Sequence, residues 1–128
     1  MGKSIETTYG QFEIREGIMH VAFIPQSRID VYIARQMLST ILRMQKGLSY
    51  PLCLDLSSIA DIDKPARDFL AQTSSIYANA VSIYARGHVA VAVTSFYLRI
   101  SIPACPTAVF ADMPSAIAFL NLYRRRVT

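Results

Sequence analysis

The chain has 128 residues, 52% of them hydrophobic and 17% charged, with 5 Gly, 6 Pro and 2 Cys. That length suits a single domain with one core and is too short for two, and the composition excludes a disordered, collagen-like or disulfide-stapled chain. The net charge of +4 owes three positive charges to Arg124, Arg125 and Arg126 in a basic tail over 124–128, so the body is close to neutral and no nucleic-acid partner is expected.

Residues 11–24 alternate around Phe12, Ile14, Met19, Val21 and Phe23, with Glu16-Gly17 placed for the tight turn of an antiparallel hairpin. Over 30–47, Ala34, Met37, Leu38, Ile41 and Leu42 recur at helical spacing, while Arg35, Gln36, Ser39, Arg43 and Lys46 take the other face. Asp30 caps the start of that helix and Gly47 its end. The apolar run 50–56 reads as a central strand buried on both faces. A polar loop, SSIADID, leads to a second helix that opens at Lys64 with Pro65 in its first turn and Phe69, Leu70, Ile76 and Tyr77 as its buried face.

Residues 80–85 read as a further strand and 107–110 as the last one, before a closing helix over 114–123 with Ile117, Leu120 and Ala116 facing inward. Over 88–98 two signals conflict. The β-branched alternation of HVAVAVTS favours a strand, whereas the rhythm of the chain asks for a helix before 107–110. A helix is expected there, with a hairpin through Arg86-Gly87 as the alternative.

Phe69 to Ala111 carry only Arg86 and Arg99 as charges, yet the longest uncharged apolar window, 87–98, is too short to span a bilayer. The first residues lack the apolar segment of a signal peptide, and two cysteines suit a reducing compartment, so a cytoplasmic protein is expected.

The order hairpin, helix, strand, helix, strand, helix, strand, helix resembles that of the sulphate transporter and anti-sigma-factor antagonist (STAS) domain. The line Leu52-Cys53-Leu54-Asp55-Leu56-Ser57-Ser58-Ile59-Ala60-Asp61-Ile62-Asp63 resembles that family's apolar strand, Asp-Leu-Ser and loop ending in Asp before a helix. Over roughly residues 9–124 the chain is similar to small bacterial STAS-like proteins. Its helix start Asp63-Lys64-Pro65-Ala66-Arg67-Asp68-Phe69-Leu70, its late strand Pro106-Thr107-Ala108-Val109-Phe110-Ala111-Asp112 and its helix Ala116-Ile117-Ala118-Phe119-Leu120 carry that similarity. The resemblance implies an α/β, STAS-like single domain with a mixed sheet of about five strands and about four helices. It also implies a protein-interaction or regulatory role rather than an enzyme. In anti-sigma-factor antagonists a phosphorylatable Ser follows the loop Asp; here Lys64 stands in that place, so that switch is expected to be missing.

Asp55, Asp61 and Asp63 could converge on a hard cation such as Mg²⁺, but their spacing matches no metal motif and favours capping. His20, His88, Cys53 and Cys105 stand at no catalytic-motif spacing, and nucleophile elbow, Walker loop and dinucleotide glycines are all missing, so no enzyme, cofactor or metal is expected. The expected partner or anion site is the start of the second helix, with Asp61, Asp63, Lys64 and Arg67. The excess of apolar residues over 88–102, among them Val89, Val93, Phe96 and Tyr97, points to a homodimer interface or, as the alternative, to an apolar ligand held in the manner of the CRAL-TRIO lipid carriers.

Overall fold

A computed structural model describes residues 3–94 and 104–124 in full and the backbone of 95–99. Strands β1 (Lys3–Glu6), β2 (Gly10–Arg15) and β3 (Ile18–Phe23) form an antiparallel meander. Its second turn is Glu16-Gly17, both with positive φ (53° and 78°), the backbone that lets a two-residue turn follow the strand twist. After the short β4 (Arg28–Ile29), helix α1 (Val31–Gln45) starts at Asp30, whose side chain accepts from the Ile33 N–H. The helix ends through two left-handed residues, Lys46 (φ 51°) and Gly47 (φ 84°). Then follow β5 (Tyr50–Asp55), the short β6 (Asp61–Ile62), α2 (Lys64–Tyr77), β7 (Ala78–Tyr84), α3 (Gly87–Arg99), β8 (Thr107–Phe110) and α4 (Met113–Asn121).

The main sheet has the order β1-β2-β3-β5-β7-β8, with β3, β5, β7 and β8 parallel, and β4 pairs with β6 in a separate two-residue ladder. Because successive strand residues face opposite sides, Leu52 and Leu54 of β5 join one core with Ala34, Met37 and Ile41 of α1, Leu70 and Tyr77 of α2 and Val89 and Val93 of α3. Cys53, between them, belongs to a smaller core under α4 with Ile18, Ala80, Ala116 and Leu120. Three helices thus cover one face of the sheet and α4 covers part of the other.

The expected mixed α/β fold is what forms, with six strands in the sheet among the described residues instead of about five. The extra one, β1, is the exposed segment KSIE, with no apolar alternation to announce it. Residues 88–98 are helical: β7 has β5 on one side and β8 on the other, which leaves no edge for a hairpin partner. Two helix faces need correction. Leu42 is 40% and Ile76 is 59% exposed, both lying at the margin of stripes whose centres, Ile41 and Leu70, meet the sheet. Helix α4 begins one residue earlier than expected because Asp112 caps it, accepting from the Ser115 N–H at 2.8 Å.

Candidate functional site

The carboxyl ends of β3, β5 and β7 lie at one end of the molecule, the end where ligands of open α/β sheets are found. There the chain from Ile24 onward is tied to the loop after β5: the Gln26 N–H donates to the Ser58 carbonyl (2.7 Å) and the Ala60 N–H to the Ser27 carbonyl (2.8 Å). The β4–β6 ladder, Arg28 with Asp61 and Ile29 with Ile62, then sets the starts of α1 and α2 side by side. Asp55 stabilises the beginning of this loop, its Oδ1 accepting from the Ser57 N–H at 2.9 Å and hydroxyl at 2.6 Å. The His88 ring Nε2 lies 2.7 Å from the Ala60 carbonyl oxygen and ties α3 to the same loop.

Asp63 caps α2, accepting from the Ala66 N–H at 2.9 Å. A shallow cleft between the two helix starts is lined by Arg28, Ile29, Asp30, Asp61 and Asp63. Of the four residues expected here, Asp61 and Asp63 share that cleft and Lys64 stands exposed beside it. Arg67 lies one turn further along, half-buried, with Nη1 donating to the Ile62 carbonyl at 2.8 Å. The α2 start already holds its own carboxylate, and the cleft is lined by three acidic side chains and one Arg. Arg28 and Asp30 were not expected in this site, since only the two-residue ladder brings them to it.

The three aspartates that could have converged on Mg²⁺ do not meet: Asp55 lines a different groove from Asp61 and Asp63. Among the described residues no group of three or more His, Cys, Asp and Glu side chains is placed to hold a metal ion. Val89 and Val93 are buried in the main core, which corrects the expectation that they face a second copy. Val91, 67% exposed, points outward in their stead. Phe96 and Tyr97 fall outside the described side chains, as do Arg125 and Arg126 of the tail.

The second groove lies on the sheet face that α4 leaves open. Gln11, Glu13 and Arg15 of β2, His20 and Ala22 of β3, Cys53 and Asp55 of β5 and Met113 of α4 line it. The registers Glu13–His20, His20–Cys53 and Cys53–Ser82 place these four residues in one row across the sheet. Glu13 is ion-paired with Arg15 at 2.6 Å. Burial, reinforced by Arg15, holds His20 below the ordinary histidine value. Burial likewise pushes the Cys53 thiol up to about 11. Residue spacing does not bring His20 and Cys53 together, because their meeting depends on the parallel pairing of β3 with β5.

A thiol raised that far is almost wholly protonated at pH 8, and the thiolate is the reactive species. In the native chain Cys53 is therefore expected to resist alkylation by iodoacetamide at pH 8 while Cys105, half-buried in the loop before β8, reacts; peptide mapping of the alkylated sites checks this. Equal labelling of both would contradict the burial of Cys53.

A family model described as a domain of unknown function, DUF7793, matches residues 12–124. The chain belongs to this family. No curated protein matches it. Among solved structures it is similar to an uncharacterized protein of the DUF3478 family with a SpoIIAA-like fold from Shewanella loihica PV-4. The two are 13% identical, the match covers 94% of this chain and 92% of that one, and the TM-score is 0.50. At that identity the likeness shows the fold alone, a STAS-like fold in agreement with the resemblance read from the Asp-Leu-Ser and Asp63–Leu70 motifs. For this member of DUF7793, among the described residues, no helix is long and apolar enough to cross a membrane.

Proposed function

We propose that the chain is a non-enzymatic interaction or regulatory module that engages a protein partner through the end of the molecule where α1 and α2 begin. The observation that carries this reading is the β4–β6 ladder, which fixes two capped helix starts around an acidic cleft and leaves Asp63, Lys64 and Pro65 exposed beside it. A cationic side chain of the partner would enter between Asp30, Asp61 and Asp63, and Lys64 would meet acidic surface at the rim. Because Lys64 occupies the place of the phosphorylatable Ser of the resembled antagonists, engagement at this surface does not depend on phosphorylation at that position.

Lys64→Glu tests the reading. A negative charge in the first turn of α2 favours the helix dipole, so thermal stability is expected to stay the same or rise slightly, by about 0.3–1 kcal/mol. Recovery of the partner with the tagged full chain from its host cells is expected to fall by about tenfold or more, in the manner of like charges placed across an interface. Undiminished recovery with a folded Lys64→Glu chain would overturn the assignment of this surface.

A further inference from the structure

We infer that Cys53, Met113 and His20 form a binding site for a single Cu(I) ion at the inner end of the open-face groove. The Cys53 thiol points at the Met113 thioether with Sγ and Sδ 3.6 Å apart. At metal–sulfur bonds of about 2.3 Å, two sulfurs at that separation subtend roughly 100° at a shared ion, close to a tetrahedral angle. His20 is the register partner of Cys53 on the adjacent parallel strand, so its ring projects from the same sheet face, and all three side chains line one groove. Thiolate, thioether and imidazole together are a soft donor set, which selects Cu(I) over the hard cations that carboxylates hold.

The surroundings fit a coordinated thiolate. Ser82, fully buried, is the register partner of Cys53 on the other side, and its hydroxyl interacts with the Cys53 sulfur in the sense that favours the thiolate. A thiolate at Cys53 would accept its proton, the kind of outer contact that orients a metal ligand. On binding, the Cys53 sulfur gives its proton to solvent through the groove and takes the metal in its place, so the copper–thiolate pair is neutral where a lone charge would be costly. The three ligands come from β3, β5 and the first turn of α4, elements fixed by the sheet and by the small core beneath α4. This site is independent of the partner surface at the start of α2.

Titration of the full chain with Cu(I) under anaerobic conditions, against a chromogenic copper chelator and with native mass spectrometry for stoichiometry, tests the site. One copper per chain is expected, retained in Cys105→Ser and lost in Cys53→Ser. Met113→Leu and His20→Gln, which keep side-chain size at half-buried positions, are expected to weaken binding by about tenfold or more while leaving the melting temperature near that of the parent; changes one step outside the ligand shell alone cost about 10–100-fold. Copper that survives Cys53→Ser, that disappears with Cys105→Ser, or that is indifferent to both Met113→Leu and His20→Gln would overturn the proposal, as would the failure of the parent chain to compete with the chelator.

Discussion

Leu52→Ala is expected to destabilise the chain by about 2–5 kcal/mol, the range for emptying a fully packed leucine site. Leu52 is 0% exposed at the middle of β5, the strand that lies between β3 and β7 and therefore has neighbours on both sides as well as helices above. Its side chain belongs to the core formed by α1, α2 and the sheet, where surrounding groups are held by strand pairing and cannot collapse far into the vacated space. Against a typical domain stability of about 5–15 kcal/mol this is a large fraction. Urea denaturation of parent and variant, with unchanged slope, reads the loss as a shift in midpoint; a difference below about 1 kcal/mol would mean that Leu52 is not packed as described.

Gly10→Ala is the second large effect, and it acts through the backbone. A Cβ on Gly10 would stand 2.4 Å from the Ala22 carbonyl oxygen and 3.3 Å from the Phe23 Cα, all main-chain atoms of the paired strand. No side chain can swing aside to relieve that approach, so β2 and β3 must separate at their first rung, where Gly10 pairs with Phe23. The adjoining turn is tied to the same rung: the Thr7 N–H donates to the Gly10 carbonyl at 2.8 Å, and the Gly10 N–H donates to the Thr7 hydroxyl oxygen at 3.1 Å. A cost of about 1–3 kcal/mol is expected, as for overpacking elsewhere, with faster amide exchange along β1 and β2. Unchanged stability would show that the strands do not approach this closely.

Much of the fold was legible because it is written in local periodicity. Phe12, Met19, Val21 and Phe23 alternate and face the helices; Ala34, Met37 and Ile41 recur at helical spacing and are buried; Asp30 and Asp63 stand where caps are needed. What escaped was set by pairing over long separations. Strand β1 has Ile5 as its one apolar residue and exists because β2 offers it an edge, and the two-residue strands β4 and β6 are too short for any pattern. The exposure of Leu42 and Ile76 depends on where each helix axis lies over the sheet, which spacing alone does not fix.

The candidate sites divide in the same way. Asp61, Asp63, Lys64 and Arg67 could be placed at a helix start from the motif, but the cleft that Asp61 and Asp63 line also takes Arg28 and a third carboxylate, Asp30, from more than thirty positions earlier in the chain. Cys53 was legible as a buried thiol because it sits in an uninterrupted apolar strand, and its elevated value follows from that burial. That His20, Ser82 and Met113 would surround it required the register of three strands and the position of α4, none of which leaves a trace in residue spacing.

The central claim is that partners are met at the end where α1 and α2 begin. Photocrosslinking in the host cells, from a reactive residue placed at position 64 and, in a second chain, at position 16 in the turn at the opposite end of β3, addresses it directly. A discrete protein adduct from position 64 and none from position 16 is the predicted result. Adducts from position 16 alone, or from both positions alike, would contradict the account.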